Sequence, residues 1–304
     1  MSRTAQGYLQ IRGVNQIYAN MVRTFAQNGV RSQAGFTLFD LIERFRQKNA
    51  VRPNLFILSF LGDTHASGVE ALAREISAII EVAGPEDEVL LKLESPGGAV
   101  HAYGLASSEL ERLKAANIKL TICIDRVAAS GGYMMACIAD RIVAAPLAIV
   151  GSIGVIAEVP NIHRLLNKVG IEFEQVVAGD EKQPLSLFTR NTSEGREKFQ
   201  ENVVRTHELF REHVKMHRSI DDFDTVSNGN IYYGKEALAR KLVDELGTSE
   251  AVITAFCKTH NAFEVKWVEA ESWAEKLGMI AGLSGSAMLR HVSGQLSRFQ
   301  SGRF

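Results

Sequence analysis

Unbroken apolar runs of strand length alternate along this chain with stretches whose apolar residues recur at helical spacing. The first run is Leu55-Phe56-Ile57-Leu58-Ser59-Phe60, between Pro53 and Gly62. Val69, Leu72, Ala73, Ile76, Ile80 and Ala83 then mark a helix that Gly84-Pro85 stops. The pattern predicts strands over 88–93 and 119–124 and helices over 102–115 and 130–140, followed by a glycine-broken strand over 149–155. A helix near 161–169, a strand over 172–177 and a long amphipathic helix over 195–218, with Phe199, Val203, Phe210 and Val214 on one face, come next. The segment from Gly234 to Gly247 starts a further helix and closes on a glycine stop. Buried strands alternating with helices imply an α/β fold with a mostly parallel sheet and right-handed crossovers.

The ends of the chain follow a different pattern. Residues 1–53 hold eight Lys or Arg against Asp40 and Glu43. Two amphipathic helices with basic outer faces are predicted there, one around Ile17, Met21, Val22 and Phe25 and one around Phe36 to Phe45. From Lys276 onward there is no acid, and Leu289, Val292, Leu296 and Phe299 repeat at 3-4-3 spacing. Such ends suit either packing on the body or a partner subunit, or a membrane surface. The predicted division is a basic helical arm over 1–53, a central domain over 54–255 and a strand and helix extension over 256–304.

Composition narrows the picture by exclusion. The net charge of -1 over 304 residues offers no general attraction to nucleic acid. Cys123, Cys137 and Cys257 lie in apolar segments without metal spacing and read as small buried hydrophobes rather than a disulfide framework. Asp221, Asp222 and Asp224 lack the glycine and terminal glutamate of a calcium loop and read as a solvated, helix-capping turn. No residue group points to a metal or organic cofactor. No apolar run approaches the roughly 20 residues of a membrane span.

The chemistry concentrates in two turns. Ser95-Pro96-Gly97-Gly98 and Ala128-Ala129-Ser130-Gly131-Gly132 each follow a strand-like run and precede a helix. Paired glycines allow close approach of backbone N–H groups, and helix-start N–H groups lack partners within the helix. The second turn adds a hydroxyl, Ser130, next to the N–H of Gly131. Ala128 replaces the first glycine of the G-x-S-x-G elbow, which disfavours an α/β-hydrolase. His101 and His163 are candidate bases for a histidine triad, and nothing in the sequence pairs either with Ser130.

Five segments together resemble the signal peptide peptidase A family of serine proteases, peptidase family S49. They are Ser95-Pro96-Gly97-Gly98, Val127-Ala128-Ala129-Ser130-Gly131-Gly132-Tyr133, Gly151-Ser152-Ile153-Gly154-Val155, Ala178-Gly179 before Lys182, and Tyr233-Gly234 to Leu246-Gly247. The resemblance implies a Clp-protease/crotonase-like fold and a Ser/Lys dyad, with Ser130 as nucleophile and Lys182 as general base. It also implies that Ser152 orients the lysine and that the backbones of Gly98 and Gly131 form the oxyanion hole, without cofactor or metal. The expected partners are hydrophobic peptides such as residual signal peptides and other copies of the chain in a ring or bowl, and the expected location is the bacterial inner membrane with the active domain on the periplasmic side. Family members usually carry an aromatic residue where Glu181 stands and a small hydroxyl residue where Pro184 stands, and the most similar type begins with a membrane anchor that this sequence does not show. A crotonase-like acyl-CoA enzyme and an inactive assembly homologue are the alternatives.

Overall fold

The computed structural model of the chain describes residues 7–30, 52–179 and 185–269. The chain divides into two compact units, residues 1–10 with 267–304, and residues 11–266. Of the first, the described residues are the starting half of strand β1 (Gly7–Gly13) and the last residues of strand β10 (Asn261–Glu269).

The larger unit is built as the hydrophobic pattern predicts. Strands β2 (Asn54–Leu61), β3 (Glu88–Glu94), β4 (Lys119–Ile124), β6 (Arg141–Ala144) and β9 (Glu245–Leu246) lie side by side in a seven-stranded sheet of order β1-β10-β2-β3-β4-β6-β9. Each neighbouring pair from β10 to β9 is parallel. Leu55, Leu58, Leu90, Leu91, Leu120, Ile122 and Val143 are fully buried, as a sheet covered on both faces requires. Helices α1 (Val14–Gln27), α2 (Val69–Val82), α3 (Val100–Ala115) and α4 (Gly131–Ala136) accompany it. A smaller sheet of order β5-β7-β8 is made by Val127–Ala129, Ile149–Gly151 and Ile231–Tyr233. Its first pair is parallel and its second antiparallel. The chain then completes α5 (His163–Lys168), α6 (Ser193–His217), α7 (Phe223–Val226), α8 (Gly234–Ala239) and α9 (Ser249–Phe256). The mostly parallel α/β architecture expected from the alternation of runs is the one observed.

Three local expectations change. Residues 172–177 have strand-like composition but join no sheet among the described residues, and Val176 is 99% exposed. Val14 and Tyr18 of α1 pack against the core beside Phe256, while Ile17, Met21, Val22 and Phe25 remain exposed. The acidic turn does not cap by side chain: Asp222 makes no capping bond, and Asp221 and Asp224 pair with Lys241 and Arg211. The reason is tertiary, since α6 and the segment after α8 bring cations to those carboxylates. The second amphipathic stretch of the N-terminal arm and the 3-4-3 repeat of the tail lie outside the described residues.

The turn before β3 shows how a buried acid is held. Asp87 accepts from the backbone N–H of Asn54 at 2.6 Å, from Gly84 N at 2.9 Å and from Asn54 Nδ2 at 3.0 Å. Burial pushes its pKa up, and these hydrogen bonds more than offset that, so the folded value lies below the ordinary carboxylate range. A carboxyl with a depressed folded pKa adds stability that is complete above its unfolded pKa of about 3.9 and is lost as pH falls through the folded value. Asp87→Ala is therefore expected to cost about 1–3 kcal/mol at neutral pH, with the difference from the native chain shrinking below about pH 4. Urea melts at pH 7 and pH 3 measure both; an equal cost at the two values would refute the account.

Candidate active site

Two straps bring the glycine turns together. Ser95 N–H donates to Val127 O at 2.9 Å and Ala129 N–H donates to Ser95 O at 3.0 Å, so the end of β3 runs parallel to β5. Ser130 N–H donates to Gly151 O at 2.8 Å, which extends the β5 and β7 register by one residue and brings Ser130 alongside Ser152. Ser130 is the N-cap of α4, with its carbonyl accepting from Tyr133 N and Met134 N at 2.9 and 3.0 Å. Its backbone sits at φ 53, ψ -122, a conformation costly for a residue with a Cβ. Ser152 is likewise at φ 52. Both serines are half-buried, and neither hydroxyl has a hydrogen-bond partner among the described residues.

The first turn fits against the second with no spare room. Gly97 has φ +96, and a Cβ there would lie 2.6 Å from Ser130 Cβ, 2.8 Å from Ala129 O and 2.9 Å from Gly131 N. A Cβ on Gly98 would lie 2.3 Å from Thr64 O, the atom that accepts from Ala99 N at 2.8 Å. Among the described residues, the N–H groups of Gly98 and Gly131 have no acceptor. Two unpaired donors thus flank a half-buried serine, as helix-start geometry permits.

Beneath the first turn lies a polar relay that sequence reading missed. Tyr103 OH donates to Asp63 O at 2.8 Å, so its 2.6 Å contact with Ser95 Oγ has the serine as donor, and Gly97 N–H donates to Ser95 Oγ at 3.1 Å. Burial raises the Tyr103 pKa above the phenol value, more than the Ser95 hydrogen bond lowers it, so the phenol stays a neutral donor. Ser95 and Tyr103 are eight residues apart, and only the fold tells that pair from ordinary helix surface. His207 was also missed: its Nε2 lies 3.1 Å from Ile153 O and 2.9 Å from Ser227 O, tying α6 to the segment after Ser152.

The remaining candidates divide. His101 is exposed in the first turn of α3. His163 uses Nδ1 on Phe188 O, 25 residues on, and Nε2 on Asn167 Nδ2 within its own helix. Lys182, with Glu181 and Pro184, lies outside the described residues, although Gly179 before it is described at φ +97. The three cysteines are free thiols, and burial pushes Cys123 up to about 12. A cavity of about 660 Å³ between α7 and the end of α8 contains none of Ser130, Ser152, Gly98 or Gly131. Among the described residues no helix is long and apolar enough to cross a membrane.

Comparison with known proteins finds matches over most of the chain. The family model described as peptidase family S49 matches residues 112–262, and that of the peptidase family S49 N-terminal region matches residues 1–110. A protein of Haemophilus influenzae named probable protease SohB is 46% identical over 244 residues, 80% of this chain and 69% of the relative. Its namesake from Buchnera aphidicola is 45% identical over 225 residues, 74% of this chain and 67% of that one. The chloroplastic serine protease SPPA of Arabidopsis thaliana is 33% identical over 161 residues, 52% of this chain and 24% of that protein. Matched by both family models and by long relatives named as proteases, the chain belongs to peptidase family S49.

Proposed function

We propose that the chain is a serine-type endopeptidase with a Ser/Lys dyad that cleaves apolar peptides, residual signal peptides among them. The observation that carries this reading is Ser130, held at φ 53 beside the N–H groups of Gly98 and Gly131, which have no acceptor among the described residues. Ser130 Oγ attacks the scissile carbonyl carbon while Lys182 takes the hydroxyl proton. The tetrahedral oxyanion accepts from the two glycine N–H groups; the C–N bond then breaks, and Lys182 returns the proton to the leaving amine. Water hydrolyses the acyl-enzyme by the same route. Ser152, next to Ser130 across the β5 and β7 register, is the residue we assign to orient the lysine.

Substrate class and assembly belong to the same proposal. Phe173, Val176 and Val177 are exposed on a run with no sheet partner among the described residues, and Val176 is almost wholly bare. An exposed apolar run without a partner suits an apolar peptide or a second copy of the chain in a ring or bowl. The exposed apolar face of α1 supports contact with a membrane surface, where the family resemblance puts such substrates.

A fluorophosphonate probe and an apolar fluorogenic peptide test the reading together. A single adduct mapped to Ser130, with peptide cleavage that the adduct abolishes, is the expected result. Cleavage without any adduct would remove the serine mechanism, and neither reaction in a folded chain would favour a scaffold or an acyl-CoA enzyme. Gly97→Ala adds a geometric check: its Cβ meets Ser130 and the backbone of Ala129 and Gly131, so kcat/KM should fall by about 100-fold or more, the scale of losing an oxyanion donor. A Gly97→Ala enzyme of native kcat/KM would show that the turn does not shape the site.

A further inference from the structure

Away from the glycine turns, helices α3 and α6 bring together Glu111, His213 and His217, each with a ligand atom within 4.8 Å of the others. We propose that these three side chains form a binding site for a divalent transition ion of the Zn²⁺ class. His213 and His217 are four residues apart on α6 and lie on one face of it, their rings 4.9 Å apart and edge to face. Glu111 comes from α3 across the helix interface, with its Oε1 3.0 Å from His217 Nε2.

The hydrogen bonds select ligand atoms. His213 Nε2 lies 3.0 Å from Met134 O of α4, and a carbonyl can only accept, so Nε2 carries the proton and Nδ1 keeps a bare lone pair. A ring N–H fixed on a backbone carbonyl with the other nitrogen free is the arrangement that orients metal-bound imidazoles. Two imidazoles and one carboxylate, with Glu111 half-exposed at 44% of its side chain, make an N₂O set open to a solvent water as fourth ligand. Bonds of about 2.0–2.1 Å to a tetrahedral ion put neighbouring ligand atoms about 3.3 Å apart. The Glu111 to His217 contact is near that value already; the ion takes the place of the proton that His217 Nε2 donates to Glu111, that proton is released to solvent, and rotation of the half-exposed glutamate can close the rest. Lys114, three residues on from Glu111 in α3, is engaged by Ile138 O at 3.1 Å and by Asp140 at 3.4 Å. Sequence reading passes over the set because its third member sits on another helix.

A bound ion would clamp α3, which begins just after Gly98, to α6, while the His213 bond reaches the helix that Ser130 opens. The metal alone is the probe. Titration of the chelator-treated full chain with Zn²⁺, followed by calorimetry, should show one ion per chain with sub-millimolar affinity and a raised thermal midpoint. His213→Gln and His217→Gln should each weaken binding by at least about tenfold, the scale on which even supporting partners of a metal site act. Glu111→Gln, which keeps a hydrogen bond to His217 and so preserves the fold, should weaken it too. No binding below millimolar Zn²⁺, or binding unchanged in the Glu111→Gln chain and in a folded His213→Gln/His217→Gln chain, would overturn the site; none of these readouts involves peptide cleavage.

Discussion

Ser130→Ala is expected to abolish peptide hydrolysis, lowering kcat/KM by about 10⁴-fold or more while the fold persists, since a nucleophile removed from a dyad leaves only binding and the oxyanion donors to act. The strained backbone adds a second readout. At φ 53, ψ -122 a Cβ is unfavourable, and Ser130→Gly removes it. Strain of this kind costs about 1–3 kcal/mol, whereas the extra freedom of glycine in the unfolded chain costs about 0.4–1 kcal/mol. Ser130→Gly should therefore be inactive yet more stable than Ser130→Ala by about 1 kcal/mol in urea melts. Residual native-like activity in either variant would end the serine assignment. Equal stabilities would show that the turn relaxes when the hydroxyl is gone.

Lys182→Ala should be nearly as damaging, at about 10³-fold or more, because a serine hydroxyl without a base is a weak nucleophile. Lys182→Arg should not rescue it, since a guanidinium does not give up its proton. The native rate should rise with pH through an apparent pKa below the roughly 10.4 of free lysine, because only a neutral amine can accept the serine proton. Glu181 supplies a test of sign. A neighbouring carboxylate favours the charged amine, so Glu181→Gln should move the profile to lower pH. A profile that ignores Glu181→Gln would mean that this acid faces away from the base. Activity that survives Lys182→Ala would transfer the base role elsewhere, and His163 would have to leave Phe188 O and Asn167 to take it.

Strand-length apolar runs were enough to foretell the parallel sheet because β2, β3 and β4 are buried on both faces, which leaves little room for polar residues. The two glycine runs were legible as turns, since paired glycines between a strand and a helix mark a break in both. Reading failed where a neighbour from far along the chain decides the outcome. Residues 172–177 hold the β-branched and aromatic residues Phe173, Val176 and Val177 that suit a strand, yet a strand needs a ladder partner that composition cannot supply. Asp221 and Asp224 are claimed by Lys241 and Arg211, and Asp222 at the N-cap position makes no side-chain cap. Ser95 was visible as part of a motif, but its bond to Tyr103 and the reach of that phenol to Asp63 O are tertiary facts. Lys182 rests on the family resemblance alone.

The parallel pairing of β10 with β2, Asn261 opposite Asn54 through Glu264 opposite Ile57, has a consequence for biosynthesis. Strands β2, β3, β4 and β6 can join one another in the order in which a ribosome delivers them. The open side of β2 must then wait for a segment made about 200 residues later, at a loop-closure cost that grows only slowly with that distance. A nascent chain stalled before Asn261 would carry Leu55, Phe56 and Ile57 on an uncapped sheet edge, a template for pairing with other chains. Completion of β10 is the moment at which the newly made protein closes the open edge of β2.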